Sequence, residues 1–411
     1  MSDAVYVIGT GMIKFGKYLD RTIKDLTGEA LEAVLEDAGL GREDIEAAWF
    51  ANSYWGFYSM QHGVRGPVAL SANGLEGIAI TNVENACASG SCAFHGAWTA
   101  VKAGIYDCVL ALGVEKIYDA DRGKMMLSFA TGSDVDEWAA TAQRYAENMP
   151  KEKRDEARGK KKRKSHSPAM DMYGSVARAH MENHGTTQRQ IAVVAAKAHN
   201  NSTLNPLAQY TFPMSVEEVL EDREVSYPLT RAMCAPVGDG SAAALLCSER
   251  FLKRQPSSRA VRVRASVLRS GKRKGGEDTT GRAARAAFET AGLGPDDVDV
   301  VEVHDATAIG EIVALEEMGF CPPGEGGPLA ENGATALGGR LPVNTGGGLI
   351  ARGHPVGATG LAQIFELSAQ LRGEAGRRQV EGARIALSEN GGGALGRGPA
   401  ALTIHVLEAT A

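Results

Sequence analysis

Aromatic residues make up only 6% of the 411-residue chain, and charge of neither sign dominates. Lys and Arg number 44 against 50 Asp and Glu, a formal net charge of -6, which gives no global attraction to nucleic acid or an anionic membrane. Six cysteines are present, at 87, 92, 108, 234, 247 and 321, with no CxxC pair among them. That argues against a disulfide framework and for a reducing compartment. No apolar run approaches the roughly 18 residues that span a bilayer. The first residues, Ser2 to Gly11, lack the basic and apolar regions of a secretory leader and read as a strand, and the last five match no retention or peroxisomal address. The expectation is a cytoplasmic protein with no nucleic-acid or membrane partner.

What is present is 44% hydrophobic residues and 50 glycines, the composition of a globular protein of two or three domains. Its main organising feature is an internal repeat. Glu29 to Glu46 aligns without gaps on Arg282 to Asp299, and both segments read as an amphipathic helix, a Gly C-cap (Gly39, Gly292), an acidic turn and a strand. Each half then carries a helix with a small-residue start, after Cys87 and after Gly353, followed by an apolar strand. Closing strands lie at Ser241 to Leu246 and Ala400 to Val406. Two duplicated α/β halves, each a mixed sheet clothed by helices, are implied.

From Asp119 to Tyr227 the pattern breaks. This stretch holds Trp138, a basic run (Lys160, Lys161, Lys162, Arg163, Lys164) and amphipathic helices around Met170 to His184 and Gln188 to Asn200, and it reads as an insertion or lid. Glu249 to Val261 reads as the linker. The expected layout is a first half over 1–118 and 228–250, the insertion over 119–227, and a second half over 258–411. The basic run suits a solvated face, a nucleic-acid tract or a phosphate-attracting patch. The cluster Trp49, Phe50, Tyr54, Trp55, Phe57, Tyr58 suits core and subunit contact, with a substrate wall as the lesser reading.

Four places could carry chemistry. Cys87 follows a short strand at the mouth of a helix, where the positive end of the dipole lowers a thiol pKa; a packed structural cysteine is the competing reading. His354 sits in a glycine-rich stretch that matches neither phosphate-loop pattern, with Pro355 placed to open the next helix. His304 ends a strand, as a site residue or a satisfied cap. Glu389 precedes a glycine turn whose N–H groups could stabilise an oxyanion, and a carboxylate in an apolar cleft can work as acid or base; a plain turn and a solvated acid are the alternatives.

Taken together, Asn85 to Gly90, Val303 to Ala306, Gly353 to Gly360 and Asn390 to Gly393 resemble the thiolase family, in particular its sterol-carrier-protein-type branch and bacterial and archaeal relatives. The resemblance extends through Leu229 to Ala244 and covers essentially the whole chain. It implies a thiolase fold, two halves in five αβαβα layers with an inserted loop domain that carries the coenzyme A site. It also implies Cys87 as nucleophile toward an acyl-CoA, His354 as its base, and His304, in place of the commoner Asn, helping to hold the thioester oxygen. The N–H groups of Cys87 and Gly391 would form a second oxyanion hole, each donor contributing about 2.7–4 kcal/mol in related chemistry. No tightly bound cofactor is implied, coenzyme A being a co-substrate. Dimers or tetramers are usual in the family, and some relatives need a small zinc-ribbon/OB-fold partner. The chain departs from the pattern where the family's second cysteine stands, because Glu389 and Ala306 occupy those positions. Glu389 is the expected replacement acid/base, with a histidine moving the α-proton, retro-aldol or condensing chemistry, or a silent acyl-CoA-binding scaffold, as the other readings.

Overall fold

The computed structural model describes residues 4–137, 140, 143, 168–255, 257, 259–273, 278–396 and 398–410. Trp138 and the basic run at 160–164 lie outside these residues. The first half supplies strands β1 (Val5–Met12), β2 (Ala47–Ala51), β3 (Ala79–Val83) and β4 (Cys108–Glu115); a separate ribbon pairs β5 (Glu224–Ser226) with β6 (Leu229–Thr230). Then come β7 (Gly240–Ser248), β8 (Val261–Ser270), β9 (Val300–Glu302), β10 (Ile385–Gly392) and β11 (Ala401–Ala409). The sheet order is β3-β2-β4-β7-β1-β8-β11-β10-β9.

The two halves of that order mirror one another. In the first, β2 runs parallel to β3 and β4, while β4–β7 and β7–β1 are antiparallel. In the second, β9–β10 is parallel while β10–β11 and β11–β8 are antiparallel. A parallel bridge from Val301 to Val343 on β9 takes the place that β3 holds on β2. The halves meet where Val5–Val7 of β1 pairs with Val261–Val263 of β8.

The repeated helices are the same element twice. Ile23–Ala38 starts at a Thr22 capping box and stops at Gly39, φ +65; Thr279–Ala291 starts at an Asp278 cap and stops at Gly292, φ +67. Glycine takes that left-handed stop without the strain a side chain brings. Each packs on the outer face of its own half, with Leu26, Leu31 and Val34 against β4 and β7 in one case and Ala284, Ala287 and Phe288 beneath β8 and β11 in the other. A larger core lies between the halves, where Phe94 and Ala97 of helix Ser89–Lys102 and Leu361 and Ile364 of helix Thr359–Leu371 are fully buried. Helix, the first half of the sheet, paired central helices, the second half of the sheet and helix make five layers.

The starts of the two central helices touch. A Cβ on Gly360 would stand 2.4 Å from the Ser91 nitrogen, and one on Gly90 would stand 2.7 Å from the Gly357 oxygen, so the small residues there are what allow the approach. That contact brings the loop of Cys87 beside the loop of His354. Above them, helices Pro168–His184 and Gln188–Ser202 lie against helix Ala308–Glu317 of the second half through Ile191, Val194, Ile309 and Ile312. Polar ties reinforce this: a buried Lys197–Glu311 ion pair, and His180 Nε2 to Glu316 Oε2 at 2.9 Å.

Several local expectations change. Glu249–Arg254, read as linker, is a helix capped by Ser248. Strand β10 continues through Gly392, because Gly391 and Gly392 keep their register with Leu402 and Ala401; Glu389 therefore lies in the sheet and not in a turn. Pro355 does not open a helix directly, since the next one begins at Thr359. Among the described residues no helix is long and apolar enough to cross a membrane.

Candidate active site

Strand β3 delivers the chain into a 3-10 turn, Ala86–Ala88, one step ahead of helix Ser89–Lys102. Ala86 holds φ +48, a left-handed conformation that costs a non-glycine residue about 1–3 kcal/mol. The turn is pinned by Ser89 Oγ, which accepts the Asn85 N–H at 2.9 Å and donates to the Ala86 carbonyl at 2.6 Å. Cys87, at the centre of this strained turn, is half-buried beside Tyr54, Phe129, Val356 and Val237.

The helix-dipole expectation for its thiol fails in the resting protein. Burial and then the Glu115 carboxylate push the Cys87 pKa up to about 12, with N–H donation from Cys87 itself and from Gly393 acting in the opposite direction. Desolvation of a thiolate among apolar neighbours outweighs one helix end. The sulfur is therefore a neutral thiol that needs a base. The glycine N–H that reaches it belongs to Gly393, whereas Gly391 lies two residues earlier, opposite Leu402.

Two histidines from the second half face this turn. His304 follows β9 and His354 follows the Gly348–Arg352 helical turn; both are nearly buried, and their rings stand 5.2 Å apart, edge to face. The Cys87 sulfur and one nitrogen of each ring all lie within 4.8 Å of one another. Hydrogen bonds distinguish the rings. Thr359 Oγ1 donates to the Pro355 carbonyl at 2.9 Å, so its 2.6 Å contact with His354 Nδ1 is one it accepts. His354 thus carries its proton on Nδ1 and keeps a bare Nε2, the form of a base. On the other side, Ser91 Oγ donates to Asn390 Oδ1 at 2.8 Å and Asn390 Nδ2 donates to His304 Nδ1 at 3.1 Å. With the Ser91 hydroxyl turned to Asn390, His304 carries its proton on Nε2, the form of a donor.

Both rings are neutral near pH 7. Burial pushes His304 down to about 4, and burial with the neighbouring His304 and Arg352 holds His354 well below its ordinary value. A buried ion pair ties the two histidine loops together: Arg352 Nη1 meets Glu302 Oε2 at 2.8 Å, each residue two positions ahead of its histidine. Asp305 adds a second tie by accepting the Leu349 N–H at 2.7 Å.

Glu389 stands directly behind His304 and accepts its backbone N–H on Oε2 at 2.8 Å. Burial raises its pKa to about 7, within reach of both protonation states near neutrality. Tyr173, on the helix Pro168–His184, is held protonated by burial, with Cys87 and Glu389 as the next causes.

Glu115 is a residue the sequence reading missed. At the end of β4 and fully buried, its carboxylate accepts from Asn52 Nδ2, the Ser53 and Tyr54 N–H groups and, across the halves, the Gly357 N–H, at 3.0–3.1 Å. The available signal was a lone acid ending an otherwise apolar strand at its C-terminal edge, where α/β sheets place functional groups.

Comparison with known proteins supplies the family. Residues 5–226 match the thiolase N-terminal domain model and residues 272–404 the thiolase C-terminal domain-like model. The chain belongs to the thiolase family. An acetyl-CoA acetyltransferase of Methanothermobacter thermautotrophicus is 40% identical over 95% of this chain and 96% of that one. Sterol carrier protein 2 of Bos taurus is 37% identical over 95% of this chain and 70% of its own length. Among solved structures, an Ltp2-ChsH2(DUF35) aldolase superposes with a TM-score of 0.78 at 22% identity, over 99% of this chain and 98% of that one. Human mitochondrial 3-ketoacyl-CoA thiolase in complex with CoA gives 0.71 at 16% identity, over 100% and 98%. At those identities the structural matches establish the fold, and the thiolase architecture is the one expected from the sequence.

Proposed function

We propose that this thiolase-family protein is an acyl-CoA acyltransferase that cleaves a 3-oxoacyl-CoA with coenzyme A, or runs the reverse condensation, through an acyl-enzyme on Cys87. The observation that carries this reading is the convergence of the Cys87 sulfur and one nitrogen of each imidazole within 4.8 Å, contributed by both halves. His354 Nε2 takes the Cys87 proton as the sulfur attacks the 3-oxo carbon, and His304 Nε2–H donates to the oxygen that gains charge. The C2–C3 bond breaks, its electron pair becomes the enolate of acetyl-CoA, and an acid returns a proton to C2. A second coenzyme A thiol then takes the acyl group from sulfur, giving back the Cys87 proton.

Glu389 fits the acid/base role left open by the absent second cysteine, since its carboxyl lies behind His304 and titrates near neutrality. Tyr54, Phe129, Val356 and Val237 form an apolar surface beside the sulfur and suit a wall for the acyl chain, the lesser of the two readings of the aromatic cluster. Strand β3 is the sheet edge and is mostly exposed, which suits pairing with a second copy in a homodimer or tetramer. A small DUF35-type partner is proposed on the composition of the aldolase complex that shares the fold.

A retro-aldolase is the second reading, favoured by the departures at Glu389 and Ala306. Product analysis separates them. Incubation with a 3-oxoacyl-CoA and coenzyme A must yield two thioesters and consume one free thiol per turnover. Cleavage of a 3-hydroxyacyl-CoA to an aldehyde or ketone, with no thiol consumed, supports the aldolase reading instead.

A further inference from the structure

The turn and loops that assemble the thiol and imidazoles also form a constellation of a different kind. Among the described residues, Cys87, His304 and His354 are the one group of three whose possible ligand atoms lie together, all within 4.8 Å. Tetrahedral zinc holds sulfur at about 2.3 Å and imidazole nitrogen at about 2.0–2.1 Å, which sets ligand atoms roughly 3.5 Å apart. Contraction of about 1 Å, within reach of side-chain torsions, closes the group around an ion. One thiolate and two imidazoles leave the fourth position open, and ligands of this softness select zinc-class ions over magnesium or calcium.

Because Nδ1 of His354 is held by Thr359 and Nδ1 of His304 by Asn390, the nitrogen that each ring can offer an ion is Nε2, and it must be bare. His354 already does, and its Nδ1–H is oriented by Thr359, which is the outer partner a ligating imidazole needs. His304 can be reset by the chain behind it. Ser91 Oγ lies 2.8 Å from Asn390 Oδ1 and also 3.0 Å from the Ala88 carbonyl. When the hydroxyl turns to Ala88 and the Asn390 amide rotates by half a turn, Nδ2 donates to Ser91 Oγ and Oδ1 accepts from a proton on His304 Nδ1. All of these groups remain bonded, and His304 Nε2 is left bare. Ser91, Asn390 and His304 thus form a two-state relay whose one setting presents a donor and whose other presents a ligand.

We propose that Cys87, His304 and His354 form a three-ligand site for zinc or a similar borderline-soft divalent ion, and that its occupancy blocks acylation of Cys87. As the sulfur–metal bond forms, the Cys87 proton passes to solvent, and nothing is oxidised or reduced. The metal site stands by itself, and only the competition rests on the acyl-transfer reading.

The test uses the full, reduced chain and cobalt(II) as a coloured stand-in for zinc. One cobalt per chain should bind with a thiolate-to-metal charge-transfer band, and zinc should bleach it. Cys87→Ser should lose that band, as should wild-type protein alkylated at Cys87 after folding, which removes misfolding as an explanation. Thr359→Val should weaken cobalt binding by about 10–100-fold through the unsupported His354. Absence of the band in wild type, or an equal band after Cys87 is replaced or alkylated, overturns the proposal. A band in a protein that no acyl-CoA acylates retains the metal site and removes the acyl-enzyme reading. Acylation without a band does the reverse.

Discussion

Replacing Glu389 by Gln keeps the shape of the side chain and removes its titration. The residue is only 4% exposed, and its one polar tie to the histidine loop is the His304 N–H at 2.8 Å, which the Gln oxygen can still accept. Burial raises the carboxyl pKa from 4.5 to about 7, a gap worth about 3 kcal/mol of pH-dependent stability. The folded protein holds a proton that the unfolded chain releases across this window. The contribution is therefore complete below about pH 4.5 and is lost as pH rises to about 7. Gln cannot ionise, so urea unfolding should show the variant gaining about 3 kcal/mol on wild type between pH 4.5 and pH 8. Its turnover in thiolysis should fall by about 10²–10⁴-fold, the scale of one general acid/base, while Cys87 is still acylated. Full turnover, or equal loss of acylation and thiolysis, refutes the assigned role. A flat stability difference across pH refutes the buried, titrating carboxyl.

Three further substitutions probe the scaffold of the site. Thr359→Val leaves the His354 Nδ1–H without its partner, at a cost of about 1–3 kcal/mol for the orphaned group, and should slow Cys87 acylation far more than it changes the apparent KM for acyl-CoA; a KM effect alone contradicts the tautomer assignment. Arg352→Met strands the Glu302 carboxylate in the core and should lower unfolding free energy by about 3–5 kcal/mol, with a loss under 1 kcal/mol arguing that the pair does not bridge the loops. Glu115→Gln removes the charge that opposes the Cys87 thiolate, so the pH midpoint of Cys87 alkylation should move down; an unchanged midpoint shows that Glu115 only holds the loops.

Much of the fold was visible in the pattern of residues, because the cause of the repeat is local. Gly39 and Gly292 stop the same helix at the same backbone angle, and the following strands pair in the same sense. Cys87, His304 and His354 could be singled out for similar reasons, each lying just beyond a strand or among glycines that permit close approach. What the pattern did not carry was long-range. The tautomer of His354 is set five residues away by Thr359, and that of His304 by Asn390 on another strand with Ser91 behind it. Glu115 meets Gly357 only when two halves, 242 positions apart, come together. The thiol pKa was misjudged because a helix end is a local feature, while the apolar neighbours Tyr54, Phe129 and Val356 that desolvate the sulfur come from three distant segments. The extension of β10 through Glu389 likewise depends on β11, whose register keeps two glycines in the ladder.

The proposed chemistry depends on Cys87 acting as a nucleophile toward acyl thioesters. Intact mass of the purified chain after brief exposure to a panel of acyl-CoAs, with Cys87→Ser treated in parallel, tests it most directly. One acyl adduct per wild-type chain, located on Cys87, is expected, and none on the variant. A wild-type chain that stays unmodified by every ester, or an adduct that persists on Cys87→Ser, contradicts it.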